Sequence, residues 1–206
     1  MPYNKFTIQQ IRKQFDVKVL EEQTLFTQIT PVQPSEMLGY FLKRHIPLAE
    51  AIGTEKAKSE FIIAPILSEL RELAEHRISL FSGIEFNVDE EHGLNGRCDY
   101  IISQSSLQFC LTAPVLMMVE AKNDNINSGL GQCMAEMLAA QIFNQQEGHQ
   151  IETIYGCVTT GSLWKFLQLQ DKKISIDNKQ YFIESLEVLL GILVQLMGLN
   201  QQNLKN

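Results

Sequence analysis

Apolar positions change period along this chain. Ile8, Ile11 and Phe15 recur at helical spacing behind Thr7, a suitable N-cap, and predict a first helix over 7–15. Val17 to Leu20 is ambiguous in period and fits a short strand. Pro31 and Pro34 punctuate the chain, and Ser35 caps a second helix reaching about Arg44, with Pro47 expected to break or restart it. A third helical stretch is expected over 47–74, interrupted near Gly53. Its stripe is Ile62, Ile63, Ile66, Leu67, Leu70 and Leu73, with a kink at Pro65.

From residue 78 the period becomes two. Ile84, Phe86 and Val88 alternate, residues 89–93 form a turn, and 94–102 return as the second strand of a hairpin. A loop over 103–113, with a short strand at 107–111, leads to the most apolar run. Val115-Leu116-Met117-Met118-Val119 is five residues long and follows Pro114, so it reads as a buried strand. The run ends in Glu120-Ala121-Lys122, and alternation puts Glu120 and Lys122 on one face.

Beyond the loop at 123–128, Leu130, Cys133, Met134, Met137, Leu138 and Ile142 mark a helix that Gly148 closes. Gln132 and Glu136, four apart, share one side of it. Strands are expected at 151–159 and 163–169, with a short edge strand at 180–183. Ser185 then opens a nearly all-apolar helix over 186–199, and the polar tail at 200–206 is expected to fray. The fold class is α/β: a central mixed sheet flanked by helices, in one domain. Residues 1–53 form an N-terminal helical extension, 54–170 the core, and 171–206 a C-terminal strand and helix.

Composition narrows the picture. The chain has 206 residues, 45% hydrophobic and 20% charged, enough for a core without staples. No apolar run reaches the ~20 residues a membrane span needs. The N-terminus has no apolar leader, and Cys98, Cys110, Cys133 and Cys157 show no metal-ligand spacing. A cytoplasmic protein with free thiols is expected, without membrane association. The apolar C-terminal helix is a core element, or else the interface of a homodimer. The net charge of −7 argues against tight metal-free binding to nucleic acid, and is compatible with a cation neutralising clustered carboxylates.

The charges within apolar strands carry the candidate chemistry. Asp99 sits among Cys98, Tyr100, Ile101 and Ile102, where a carboxylate needs a partner or a cation. In a three-strand meander Asp99 and Glu120 fall on adjacent strands. Carboxylates converging at strand ends make a hard oxygen site suited to Mg²⁺ or Mn²⁺, and a neighbouring lysine can position a water. Other chemistries find no support. Ser162 lacks a nucleophile elbow, Gly129-Leu130-Gly131 is no dinucleotide loop, and the four histidines are scattered. His92 in its acidic turn, Trp164 in its strand, and Lys56, Lys58, Lys165, Lys172 and Lys173 read as solvated or core residues before they read as site or phosphate contacts.

Asp99 followed 21 residues later by Glu120-Ala121-Lys122 resembles the motif of the PD-(D/E)XK nuclease superfamily, the restriction-endonuclease-like fold. Glu60 on the preceding helix and Gln132 on the following one extend the resemblance over residues 54–170. Cys98 stands where the proline that names the motif would be. The resemblance implies a core of order αβββαβ and Mg²⁺- or Mn²⁺-dependent hydrolysis of phosphodiester bonds, with DNA as partner. It implies metal binding by Asp99, Glu120 and the main-chain carbonyl of Ala121. Lys122 would orient the attacking water, and Glu60 and Gln132 would support the site, Glu60 also serving the metal. The alternative is a catalytically inactive module of the same fold that binds nucleic acid or a protein partner.

Overall fold

The computed structural model describes residues 2–199; the polar tail expected to fray at 200–206 lies outside them. Among the described residues the six α-helices are α1 (Ile8–Gln14), α2 (Glu36–Ile52), α3 (Glu55–Lys58), α4 (Ala64–Leu73), α5 (Ile126–Gln146) and α6 (Leu186–Leu196). Eight strands are β1 (Lys18–Gln23), β2 (Ser79–Glu85), β3 (Arg97–Ser103), β4 (Val115–Ala121), β5 (Thr153–Thr159), β6 (Leu163–Gln170), β7 (Lys173–Asp177) and β8 (Tyr181–Phe182). The strands form one mixed sheet in the order β1-β7-β6-β5-β4-β3-β2, with β8 paired to β6. β2, β3 and β4 make the expected antiparallel meander. β4 and β5 are parallel, and α5 is the crossover between them.

Helices cover both faces, as a sheet apolar on both sides requires. On one face, Leu42 of α2, Ile66 and Leu70 of α4, and Leu193 of α6 pack on Tyr100 and Val119. On the other, Ile11 of α1 and Cys133 and Met137 of α5 pack on Met118 and Leu167. The apolar residues of α6 are buried in this chain's own core, so the face that suggested a homodimer is already covered. Among the described residues no helix is long and apolar enough to cross a membrane.

Local chemistry explains most boundaries. Thr7 and Gln10 form a reciprocal capping box on α1. Ser35 caps α2 by accepting the Leu38 N–H at 3.2 Å, and Gly53 closes it in the left-handed region, with φ 69°. Pro47 does not break α2, contrary to expectation. It lies on the exposed side, where water can solvate the freed carbonyl. The disturbance expected at Pro65 takes the form of a π-turn over Ser59–Ile63, in which the Ala64 N–H donates to the Ser59 carbonyl. α3, the π-turn and α4 follow one another without a break, and Pro65 comes directly after the π-turn, whose shifted ladder accommodates its missing N–H.

Two further expectations differ from the structure. No strand forms at 107–111. Instead the Gln108 side chain accepts from the Leu80 N–H at 3.2 Å and donates to the Leu80 carbonyl at 2.7 Å, pairing the β2 edge in a strand's place. Residues 173–177, not expected as a strand, form β7, buried between β6 and the parallel edge strand β1.

Candidate active site

The site lies where β4 ends against the start of α5. β4 terminates at Ala121, but the Lys122 N–H still donates to the Thr159 carbonyl at 2.8 Å, so the ladder to β5 runs one residue further. That extension keeps Glu120 and Lys122 on one face, and the ammonium contacts Glu120 Oε1 directly. Lys122 Nζ also donates to Gln132 Oε1 at 3.3 Å, and Gln132 Nε2 donates to Glu136 Oε1 at 3.1 Å. Gln132 and Glu136 are one helical turn apart on α5, so both side chains reach β4 from a single helix face.

The close approach of α5 depends on Gly129. A Cβ at this position would lie 2.7 Å from Val158 Cγ1 and 3.1 Å from both Cγ and Cε of Lys122. A side chain there would push on the lysine stem. Asn125 helps start the helix by accepting the Asn127 N–H at 3.0 Å.

Asp99 reaches the site from β3, its Oδ2 accepting the Ala121 N–H at 2.8 Å. Beside it is a cleft of about 290 Å³ lined by Asp99, Ala121, Tyr100, Glu55, Lys56 and Glu60 among others. Asp99 is common to two groupings. It lines the cleft with Glu60 and Ala121, and its charge acts on buried Glu120. Glu60 itself is exposed and paired with Lys56 at 2.7 Å, on the π-turn. The structure therefore joins Asp99, Glu120, Lys122 and Gln132 closely, and places Glu60 across the cleft without a bond to them.

Electrostatics set this region apart. Glu120 is 1% exposed and Glu136 is fully buried; Oε2 of each accepts from no N–H or hydroxyl, and the two carboxyls are close enough for a proton on one to be donated to the other. Burial raises the Glu120 carboxyl well above the usual carboxylate range. The charges of Glu136 and Asp99 raise it further, and Lys122 opposes them. Burial also lifts Glu136, to about 8, against the Gln132 hydrogen bond, which favours its charged form. Burial works against the charge of Lys122, yet contact with Glu120 outweighs it and raises the ammonium above its ordinary value. The two glutamates titrate as a pair. The ammonium opposes protonation of Glu120, yet burial still lifts its carboxyl to about 10, above Glu136, so the retained proton belongs to the pair.

The sequence reading missed Glu136 as part of the site, although its spacing from Gln132 was visible. A carboxylate one turn beyond a candidate glutamine, flanked by Ala135 and Met137, was the available signal. Lys58 is also more than a surface lysine: buried, it donates to the Asn123 carbonyl at 2.7 Å and lies 3.4 Å from Asp124 Oδ1, fastening the loop after β4 to α3. His92 stays in its turn, 2.8 Å from Asp89 Oδ2. Trp164 is buried and donates to the Gly161 carbonyl at 2.8 Å, which makes it a core residue. Ser162 Oγ donates to Glu50 Oε1 at 2.7 Å.

Among the described residues no group of three or more His, Cys, Asp or Glu side chains is arranged to hold a metal ion. The donors at β4 are fewer: two carboxylates and a main-chain carbonyl. They nevertheless fit a hard divalent cation of the Mg²⁺ type, which commonly takes one or two carboxylates and completes its shell with water. Glu120 Oε2, which accepts from no N–H or hydroxyl and lies near two other acids, suits a cation in place of the proton it shares with Glu136. No family model matches the chain, and no curated protein or solved structure matches it.

Proposed function

We propose that the chain is a Mg²⁺- or Mn²⁺-dependent nuclease that hydrolyses phosphodiester bonds of DNA, built on a restriction-endonuclease-like core. The observation that carries this reading is the coupling of two carboxylates to one lysine. Asp99 and Glu120 sit on adjacent strands, and Lys122 is held between Glu120 and Gln132 beside an open acidic cleft. The order α4-β2-β3-β4-α5-β5 supports the core assignment.

Asp99, Glu120 and the Ala121 carbonyl would hold the ion, with Glu60 reaching it from across the cleft. A bound divalent cation supplies charge neutralisation at the phosphate and a lower pKa for a nucleophilic water. The chain's own residues do the rest. Lys122, kept charged by Glu120, donates to the attacking water or a phosphoryl oxygen and orients it. Gln132, anchored by Glu136, holds the ammonium from a second side, so less ordering remains for the reaction. Buried free thiols at Cys98, Cys133 and Cys157 suit a reducing compartment such as the cytoplasm.

A second reading, a nuclease-fold module that binds nucleic acid or a protein without cutting, is favoured by one observation. Lys122 already occupies Glu120 Oε1, so the ion has one free oxygen on that residue. Thermal unfolding with Mg²⁺ or Mn²⁺ separates the two. The nuclease reading expects a metal-dependent rise in Tm that Asp99→Ala and Glu120→Ala abolish. A wild-type protein with unchanged Tm at millimolar metal overturns it.

A further inference from the structure

A second charged feature lies at the other end of the sheet. The register places Ala121 beside Thr159, and Thr159 beside Trp164. At the opposite end Thr153 pairs with Gln170, Gln170 with Lys173, and Lys173 with Lys18. Lys18 is thus four strands from β4 and a full strand length away, on the order of 25 Å from the carboxylate site.

There α1, the start of β1 and the β6–β7 turn enclose an open cleft of about 760 Å³. Arg12 and Lys13 line it from the helix, Lys18 from the strand and Lys172 from the turn, with Gln9 adding an amide. Four cations from three chain segments are concentrated here in a chain whose net charge is −7. Asp16 is the one carboxylate in the lining. It lies 3.4 Å from Lys172, both side chains largely exposed, so it offsets little of the charge. No ion pair involves Arg12, Lys13 or Lys18 among the described residues.

The lining also says what kind of anion fits. Val17 is its only apolar residue, and no aromatic side chain lines it, so nothing offers a stacking platform for a base. An open trough with cations on several walls, and no pocket for a base, suits a continuous run of phosphates better than a single nucleotide.

The geometry points to a phosphate-backbone contact for nucleic acid at this cleft, separate from the carboxylate site and independent of base sequence. The choice of nucleic acid rests on the proposed function; the existence of the anion site does not. Such a contact would hold a strand on an otherwise acidic protein.

The test is binding of a fluorescent 20-base-pair DNA duplex by anisotropy, without divalent metal, over a range of salt. It uses the full wild-type chain in EDTA so that nothing is cut. The double variant Lys18→Gln/Lys172→Gln is expected to bind about tenfold more weakly, and its log–log salt slope to fall by about 1 to 2. Asp16→Asn is expected to bind more tightly. Asp16 has φ 52°, where Asn is well tolerated, so this variant keeps the fold even if the double variant does not. Inorganic phosphate and ATP are expected to compete only at concentrations far above the DNA.

Unchanged affinity in both Lys18→Gln/Lys172→Gln and Asp16→Asn overturns the assignment, as does a wild type without salt-sensitive binding. Equal competition by poly-glutamate overturns the choice of nucleic acid. If the wild type cuts nothing but binding still follows Lys18, Lys172 and Asp16, the nuclease reading fails and this cleft stands.

Discussion

Glu136→Gln tests the buried acid pair through the pH dependence of stability in the metal-free protein. In the folded chain burial lifts both Glu120 and Glu136 above the ordinary value of 4.5, Glu136 to about 8. The folded state therefore holds protons that the unfolded chain releases near pH 4.5. This contribution is fully present below the unfolded value and is lost as pH rises through the folded values. Each retained proton gives a slope of about 1.4 kcal/mol per pH unit. One proton held across about three units, from pH 5 to pH 8, amounts to about 4 kcal/mol, a large share of the ~5–15 kcal/mol typical of a whole domain. Lys122 and neighbouring acids modulate that figure, so a loss of about 2–4 kcal/mol is the expected result. Glu136→Gln keeps an acceptor for the Gln132 amide and removes one of the pair's two titrating groups, so the slope should fall by half or more. Urea unfolding in EDTA at pH 5, 6, 7 and 8 measures it. Equal slopes in wild type and Glu136→Gln, or a wild type that gains stability over this range, refute the assignment of a shared buried proton.

Three other substitutions probe how the site is held. Gly129→Ala should displace the Lys122 stem or lift the start of α5, costing about 1–3 kcal/mol by overpacking; chemical denaturation and a changed Lys122 amine signal in NMR would report it. Asn144→Ala removes two buried hydrogen bonds, the amide donating to the Val115 carbonyl at 2.8 Å and accepting the Val115 N–H at 2.7 Å. With both backbone groups left unpaired the loss should be about 2–4 kcal/mol in urea unfolding, while Asn144→Asp, which loses only the donor, should cost less at low pH than at neutral pH. Lys58→Met keeps the buried stem but drops the bond to Asn123, so hydrogen exchange should quicken in residues 122–126 with global stability falling by only about 1–2 kcal/mol.

How legible each part was follows from its surroundings. β4 was readable because a central strand buried on both faces must be apolar throughout, and its two terminal charges then stand out. Asp99 was readable for the same reason. β7 was not, because its buried positions include Ser175 and Asp177, whose polarity is satisfied by Gln23, Tyr181 and the Lys179 N–H, contacts distant in sequence or formed only after folding. Pro47 misled because its cost depends on which side of α2 faces water. Glu136 was overlooked because its amphipathic spacing fits a solvated helix face. α5 is instead buried nearly all round, so a carboxylate at that position must face its partners in the interior. Glu60 was placed on the right helix, yet the π-turn and its pairing with Lys56 set it at the cleft mouth instead of against Glu120.

The central claim is that Asp99, Glu120 and Lys122 form a hydrolytic centre. The direct measurement is cleavage of a DNA panel, duplex and single-stranded, by the purified full chain with Mg²⁺ or Mn²⁺, alongside Lys122→Ala and Asp99→Ala prepared identically. The account expects cleavage by the wild type that requires metal and falls at least 100-fold in either variant, on the order of a positioned general acid–base or water-orienting group. Cleavage that persists in Lys122→Ala, or a wild type that cuts no substrate with either metal, contradicts it.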